Sequence, residues 1–440
     1  MTRYEAAALL NACLDRVTEV TDELKRLMAE FEKELALLKG RVDGLEAKVG
    51  ELEASQFSTT TTLGGQATFV LGANRFSGSA DAAVKQGNRS AGATTFSYDV
   101  QLYTTTSFSG KDSLVAVLRA GNFADSAFGG SGPAGDLSVL EVAFQEDCGE
   151  AADCGDVVAI EKLLYTWPLG GGFEAHVGGR IGMEDTVGVW PSVYPGDTVL
   201  NVFTVNGAPA AYNKVLGSGG GLVWRSGGFS ASASYVAGNG DIGNSSEGGL
   251  GNPNSAASGS VQLGYSADQW AVAAIWSRLQ AGVGLPGATA FTSPVFAEDP
   301  DALSNAIGLG GYWQPASSGW LPSISLGWGL NSTSHDGEAE AGSLRTSQSW
   351  MVGLQWSDVI SKGNQLGLAV GQPVFATALS GGDTPDDGGV VMEGWYKWQL
   401  SDNVWVTPAV FWLSRPLGQL TPAGESFGQL GALVRTTFAF

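Results

Sequence analysis

The sequence predicts an all-β transmembrane barrel of about 16 antiparallel strands, preceded by an N-terminal α-helical coiled coil. Three observations carry that expectation. Charged residues make up only 15% of the 440-residue chain, below the roughly 25% usual for soluble domains, while glycine reaches 64, about twice the common share. Hydrophobic residues make up 43% and tryptophans number 14, yet no run approaches the roughly 18 apolar residues of a transmembrane helix. Apolar content spread over alternating positions instead fits strands that cross a bilayer in a closed sheet. The third observation is a change of period near residue 56, from 3.5 before it to 2 after it.

Residues 1–55 contain no Pro, no Trp and only three glycines. Apolar residues recur every seven positions at Leu10, Val17, Leu24, Phe31, Leu38, Leu45 and Leu52. A second series, Leu14, Met28, Leu35, Val42 and Val49, runs three residues ahead of members of the first. These are the d and a positions of a heptad, and they predict a coiled coil over residues 10–55. Thr21 is a polar a position, which lowers stability but helps to set register. Gly40, Gly44 and Gly50 fall off the seam and weaken the helix without opening the interface. At about 1.5 Å per residue the seam would form a rod roughly 65 Å long. The alternative is a single amphipathic helix packed on its own domain.

From residue 56 to 440 the pattern is that of strands with one oily and one wet side. Phe173, Ala175, Val177, Gly179 and Ile181 alternate with Glu174, His176, Gly178 and Arg180. Phe96, Tyr98, Val100 and Leu102 alternate with Ser97, Asp99 and Gln101, and Phe229, Ala231, Ala233 and Tyr235 with Ser230, Ser232 and Ser234. Ile324, Leu326, Trp328 and Leu330 form a further apolar set, as do Trp350, Val352, Leu354 and Trp356, then Val404, Val406, Val410 and Trp412, and finally Val434, Phe438 and Phe440. Turn clusters such as SGG, GNGDIGN and SGGDTPDDGG separate them. A soluble sandwich would alternate too. Here the second face is Ser, Gln, Asn, Glu, Lys and Arg over many strands, and Trp and Tyr mark the apolar ends, as expected for an outward lipid band around a polar interior. About 10 residues per tilted strand, plus turns, allow roughly 16 strands.

Lys+Arg number 23 and Asp+Glu 44, a formal charge of −21, which repels phosphate backbones and argues against a nucleic-acid partner. Of three cysteines, Cys148 and Cys154 lie in EDCGEAADCGD, where a short-loop disulfide forms if the compartment is oxidising; two free thiols are the alternative. MTRYEAAALL shows no basic region followed by an apolar core, so no export signal is visible, and the composition favours a chain that starts downstream of one.

Catalysis has little to stand on. The two histidines are His176, on a wet face, and His335, in NSTSHDGE, and no G-x-S-x-G accompanies them. GSGGGL at Gly217 to Leu222 lacks the spacing and Lys of a phosphate loop, so no cofactor is expected. Asp383, Asp386, Asp387, Glu298, Asp299 and Asp301 have no EF-hand spacing, so no metal site is expected, only diffuse attraction of cations. The charges that fall opposite the apolar face are Arg119, Lys162, Arg180, Arg225, Lys397 and Arg435, with Glu174 and Glu393. With His176 they are the candidates to line a wet passage, and many are expected to pair across strands. Arg180 should face inward while Val177 and Ile181 face lipid. The long segment from Gly121 to Val157 is the best candidate for an inward-folded loop.

Both halves resemble a known family. TRYEAAALLNACLDRV resembles the last helix of an S-layer homology domain, which makes residues 1–16 its C-terminal remnant. The following coiled coil, the threonine run from Ser58 to Thr62 and the barrel resemble cyanobacterial outer-membrane porins of the carbohydrate-selective OprB-like family. The motifs that carry this are WPSVYPGD at Trp190 to Asp197, AAYN at Ala210 to Asn213, VQLGY and QWAVAAIW between Val261 and Trp276, and the closing TPAVFWLSRP and VRTTFAF. The resemblance implies a homotrimer in the cell outer membrane, in contact with its lipid and lipopolysaccharide, with the N-terminal region in the periplasm. It implies passive diffusion of small hydrophilic solutes, inorganic ions or sugars. Family members also carry a signal peptide and a fuller S-layer homology domain, through which a precursor would reach peptidoglycan or its linked polysaccharide. The competing expectation is a structural tether between outer membrane and cell wall, with a nearly closed barrel.

Overall fold

The computed structural model describes residues 2–14, 22–55, 60–146, 155–194, 199–297, 301–335, 337, 339–382 and 384–440. They fall into two units, residues 1–62 and 63–440. In the first, α1 (Arg3–Leu14) and α2 (Asp22–Ser55) carry the heptad positions. Arg3 of α1 stands 3.9 Å from Glu34 of α2, so the predicted seam is divided between two helices that lie side by side. The longer one, 34 residues, spans about 50 Å. Its seam residues Leu35, Leu38 and Val42 are exposed along the single chain, as is Leu10 of α1. Val17 lies outside the described residues, as do the side chains of Leu14, Leu24, Met28, Leu45, Val49 and Leu52.

The second unit is a closed barrel of 16 strands in sequence order. They are β1 (Thr61–Ser77), β2 (Thr95–Thr106), β3 (Ser113–Gly121), β4 (Ala159–Gly170), β5 (Phe173–Gly182), β6 (Leu216–Ser226), β7 (Phe229–Ala237) and β8 (Ala257–Ser266). The circuit continues through β9 (Trp270–Gln280), β10 (Leu303–Trp313), β11 (Ser323–Ser334), β12 (Leu344–Ser357), β13 (Gln365–Leu379), β14 (Val391–Ser401), β15 (Val404–Leu413) and β16 (Gly428–Ala439). Closure comes from antiparallel pairing of β16 with β1, from Gln66 opposite Ala439 to Ser77 opposite Gly428. Closing the sheet removes the unpaired edges that an open one would expose, which is the condition for strands to cross hydrocarbon.

The period-2 pattern sorts the side chains as the alternation requires. Phe96, Leu102, Phe229, Leu326, Trp328, Val410, Trp412, Val434 and Phe438 are exposed outward, while Ser97, Asp99, Ser230, Ser232 and Ser325 are buried inward. One outward polar pair is satisfied across the sheet: the Trp350 indole N–H donates to Gln372 Oε1 at 2.7 Å.

One expectation fails. Ile181 does not face lipid; it is fully buried in an inner cluster with Leu164 and Val236. A register shift between Gly178 and Ile181 inserts an extra residue into β5, which turns Ile181 inward and sets Arg180 opposite Leu163 of β4, an exposed outward residue, instead of on the wet face of Glu174 and His176.

The two rims differ. One carries tight turns, such as Gly227–Gly228 between β6 and β7, where both residues have positive φ (56° and 87°), the geometry that suits a two-residue hairpin. The other carries the long connections, including α3 (Asp81–Ala91) between β1 and β2 and α4 (Thr292–Ala297) between β9 and β10. Two of these long connections turn into the barrel.

Candidate functional site

The interior is built by loop A (residues 122–158, joining β3 to β4) and loop B (residues 183–215, joining β5 to β6). Loop B is apolar and small along much of its length, and Phe203, Ala208, Ala210, Ala211 and Tyr212 are buried. It is held against the inner wall by the polar side chains of successive strands. Gln262 of β8 accepts from the Val189 N–H at 3.0 Å and donates to its carbonyl at 2.8 Å. Ser277 of β9 donates to the Ala211 carbonyl at 2.7 Å, and Ser349 of β12 to the Gly207 carbonyl at 2.9 Å. Ser325 of β11 accepts from the Tyr194 N–H at 3.0 Å. On β14 the Glu393 carboxylate accepts from the Tyr194 hydroxyl and the Leu200 N–H, both at 2.7 Å. Trp395 then donates to Tyr194 at 2.8 Å.

Glycine makes room for this contact. A Cβ at Gly353 would lie 2.6 Å from the Tyr194 ring, and one at Gly327 would overlap the Asn206 carbonyl oxygen. The high glycine content thus has a local use, close approach of loop backbone to wall.

Loop A covers the next sector. Phe123, Phe128, Leu137 and Leu140 pack with Val70 of β1, Phe411 and Leu413 of β15, and Leu433 of β16. The two loops also bond to each other: the Glu141 N–H donates to the Val199 carbonyl at 3.0 Å, and the Asn201 N–H to the Val139 carbonyl at 2.9 Å. Together they fill the inner face from β7 round to β1.

The remaining sector, β2 to β6, is charged. Arg119 binds Asp99 at 2.6 Å and also binds Glu161, with its guanidinium 4.9 Å from the Phe144 ring. Lys162 binds Glu184 at 3.0 Å and Asp185 at 2.8 Å. Arg180 lies 3.8 Å from Glu146 of loop A, Arg225 lies 3.6 Å from Glu174, and Lys214 of loop B lies 3.3 Å from Glu141. Burial pushes the Glu141 carboxyl above the usual carboxylate range, against the pull of Lys214. Carboxylates outnumber cations in this group. The side chains of Arg180, Glu174 and Arg225 keep 40%, 37% and 50% of their surface exposed, whereas Arg119 keeps 11%.

The structure therefore brings together Arg119, Lys162, Glu174, His176 and Arg225 of the candidates named from sequence, while the bulge in β5 leaves Arg180 on the opposite face. His176 is largely buried among them, with Nδ1 3.0 Å from the Thr166 hydroxyl and Nε2 3.1 Å from Glu174. The rest stand elsewhere on the inner face. Glu393, 4% exposed, anchors loop B; Arg435 is buried on β16; Lys397 sits 4.6 Å from the Trp405 ring. Cys148 and Cys154 lie outside the described residues, as do Asp383, Glu298 and Asp299. Among the described residues, no cluster of His, Cys, Asp or Glu is placed to hold a metal ion. Sequence reasoning missed loop B and the partners Glu161, Glu184, Asp185, Glu141 and Glu146. Its available signal was a long stretch without alternation after β5, opening with the acidic pair Glu184–Asp185.

Residues 19–440 match the carbohydrate-selective porin, OprB family. The chain belongs to that family. A porin is a solute channel of the outer membrane, and a closed barrel with a polar inner face is the architecture it needs. The whole porin chain aligns with the uncharacterized protein alr4550 of Nostoc sp., at 32% identity over 490 residues and 78% of that relative. A second relative, the uncharacterized protein sll0772 of Synechocystis sp., is 26% identical over 488 residues, covering all of this chain and 82% of its own length. Among solved structures the barrel is similar to Pseudomonas putida OprB, with a TM-score of 0.55 at 10% identity over 89% of this chain and 96% of that one. It is also similar to an anion-selective porin from Comamonas acidovorans, with a TM-score of 0.50 at 13% identity over 87% and 99%. At such identities these structures speak for the fold alone.

Proposed function

We propose that the porin passes small hydrophilic solutes by passive diffusion along an off-centre slit between its two inner loops and the charged sector of β2 to β6. One observation carries this reading: the inner polar groups elsewhere are buried under loops A and B, while Glu174 and Arg225 remain partly exposed. A slit walled by paired charges of both signs presents donors and acceptors without a large net field. It suits inorganic ions and small neutral polyols, with a modest preference for cations because carboxylates are in excess. Sugar passage is supported by the family to which the chain belongs. The heptad positions of α2, exposed in one chain, support a coiled coil with copies of itself, hence a homotrimer whose N-terminal region lies in the periplasm. Residues 1–16 fit the end of an S-layer homology domain, and a precursor carrying the full domain would reach peptidoglycan through it.

Reconstitution into planar bilayers tests the reading. Stepwise conductance is expected, with a reversal potential in a KCl gradient on the cation side, and liposome swelling that falls steeply with solute size. A silent barrel that still binds the cell wall would instead favour the tether.

A further inference from the structure

On the outward face, β7 to β11 carry a hollow of about 700 Å³ beside the rim of long connections. Its floor includes Tyr235, Trp276, Arg278 and Leu303. One wall is the β7–β8 connection (residues 238–256), which is folded down over the outside of the barrel. The Gly251 N–H donates to the Tyr235 hydroxyl at 2.9 Å, and Gln280 Nε2 donates to the carbonyls of Asn252 at 3.0 Å and Pro253 at 2.9 Å.

The polarity of the outward face changes at this level within one step of the pleat. Trp276 pairs with Ile307, which pairs with Leu330; two residues on, Arg278 pairs with Asn305, which pairs with Ser332. An apolar row with an indole followed by a polar row with a guanidinium marks the passage from hydrocarbon to headgroups. Arg278 is exposed, and no carboxylate of a described residue lies within ion-pair range of it. An unpaired guanidinium at that depth has a fork of donors for a phosphate or carboxylate. Beside it the rings of Trp276 and Tyr235 offer flat faces, which suit the face of a sugar ring.

We propose that this hollow holds the anionic sugar headgroup of a glycolipid in the leaflet at the long-connection rim. Arg278 grips the charge, Trp276 lies against the sugar, and the β7–β8 connection closes over it. The assignment rests on the barrel being embedded in a membrane, and its test separates the two. The full-length protein in detergent is titrated with phosphorylated lipid A and followed by native mass spectrometry. Saturable binding is expected, weakened about tenfold in R278Q, as loss of a charge-assisted contact implies. It should be unchanged in R75Q, which removes an equal charge from the outward face of β1. Channel conductance of R278Q should match the wild type, which shows that the variant is folded. Equal affinity of R278Q, or equally tight binding of lipid A stripped of phosphate, overturns the proposal. So does glucosamine 1-phosphate binding as tightly as the lipid, which would make the hollow a site for soluble anions. Wild-type protein that conducts yet binds no lipid A removes the site alone, whereas wild-type protein that does not conduct removes the channel reading.

Discussion

Single side chains decide how much of the lumen stays open. Arg225 lies in the charged sector, with Nε donating to the Gly188 carbonyl at 3.1 Å and 50% of its side chain exposed. Replacing it with Ser removes a cation from a place where carboxylates already prevail. The reversal potential of Arg225→Ser in a salt gradient should move further toward cations, with little change in the heat stability of the barrel. An unmoved potential would place Arg225 away from the narrowest point. Gly327 acts from the opposite wall, because any side chain there strikes the Asn206 carbonyl. Gly327→Val should push loop B off β11 toward the slit, lower stability by roughly 1–3 kcal/mol, and lower single-channel conductance. A variant with wild-type conductance would show that loop B is not the limiting wall.

At the scale of elements, the strands are fixed by pattern and the turns by local chemistry. The turn between β2 and β3 is organised by Asp112, which accepts from the Ser109 N–H at 2.7 Å, the Phe108 N–H at 3.1 Å and the Tyr165 hydroxyl at 2.7 Å. The Ser109 hydroxyl, then that of Tyr165, holds its carboxyl well below the usual carboxylate range. A carboxyl depressed in the folded state adds stability above its ordinary pKa and loses it as pH falls toward the folded value. Asp112→Asn should therefore melt below the wild type at neutral pH, and the gap should close on acidification below the ordinary carboxylate range. A gap independent of pH in the heat shift of the folded band on electrophoresis would contradict this. Loop B was not legible at this scale. Trp190, Tyr194 and Tyr212 stand in the motifs that carry the family resemblance and in no alternating run, and in the structure Trp190 packs 5.1 Å from Tyr212 inside the barrel.

For the whole molecule, Leu35, Leu38 and Val42 of α2 are exposed in the single chain, and the proposed coiled coil would cover them with copies of the same helix. Native mass spectrometry in mild detergent should give the mass of a trimer, and Leu35→Asp with Leu38→Asp should shift it toward monomer without abolishing conductance. A monomeric wild-type mass would contradict the assembly. The arrangement of the barrel has a consequence here too. With loops A and B against β7 to β16 and β1, the proposed slit leaves the sector β2 to β6 as the wall where a substitution would tune selectivity.

Alternation with period 2, turn glycines and the absence of a long apolar run settled the closed barrel and the outward set of each regular strand, because a strand's faces follow from its own residues. They could not settle the direction of Ile181, since the extra residue in β5 is defined by its pairing with β4 and β6. Nor could they divide the inner polar residues into those that hold loops and those that meet solute. Ser277, Ser325, Ser349 and Glu393 read like a wet lining, and only the return of a distant segment turns them into anchors. Which polar group stays wet depends on contacts between residues up to about two hundred positions apart, such as Glu393 with Leu200, and those contacts exist only once the barrel has closed.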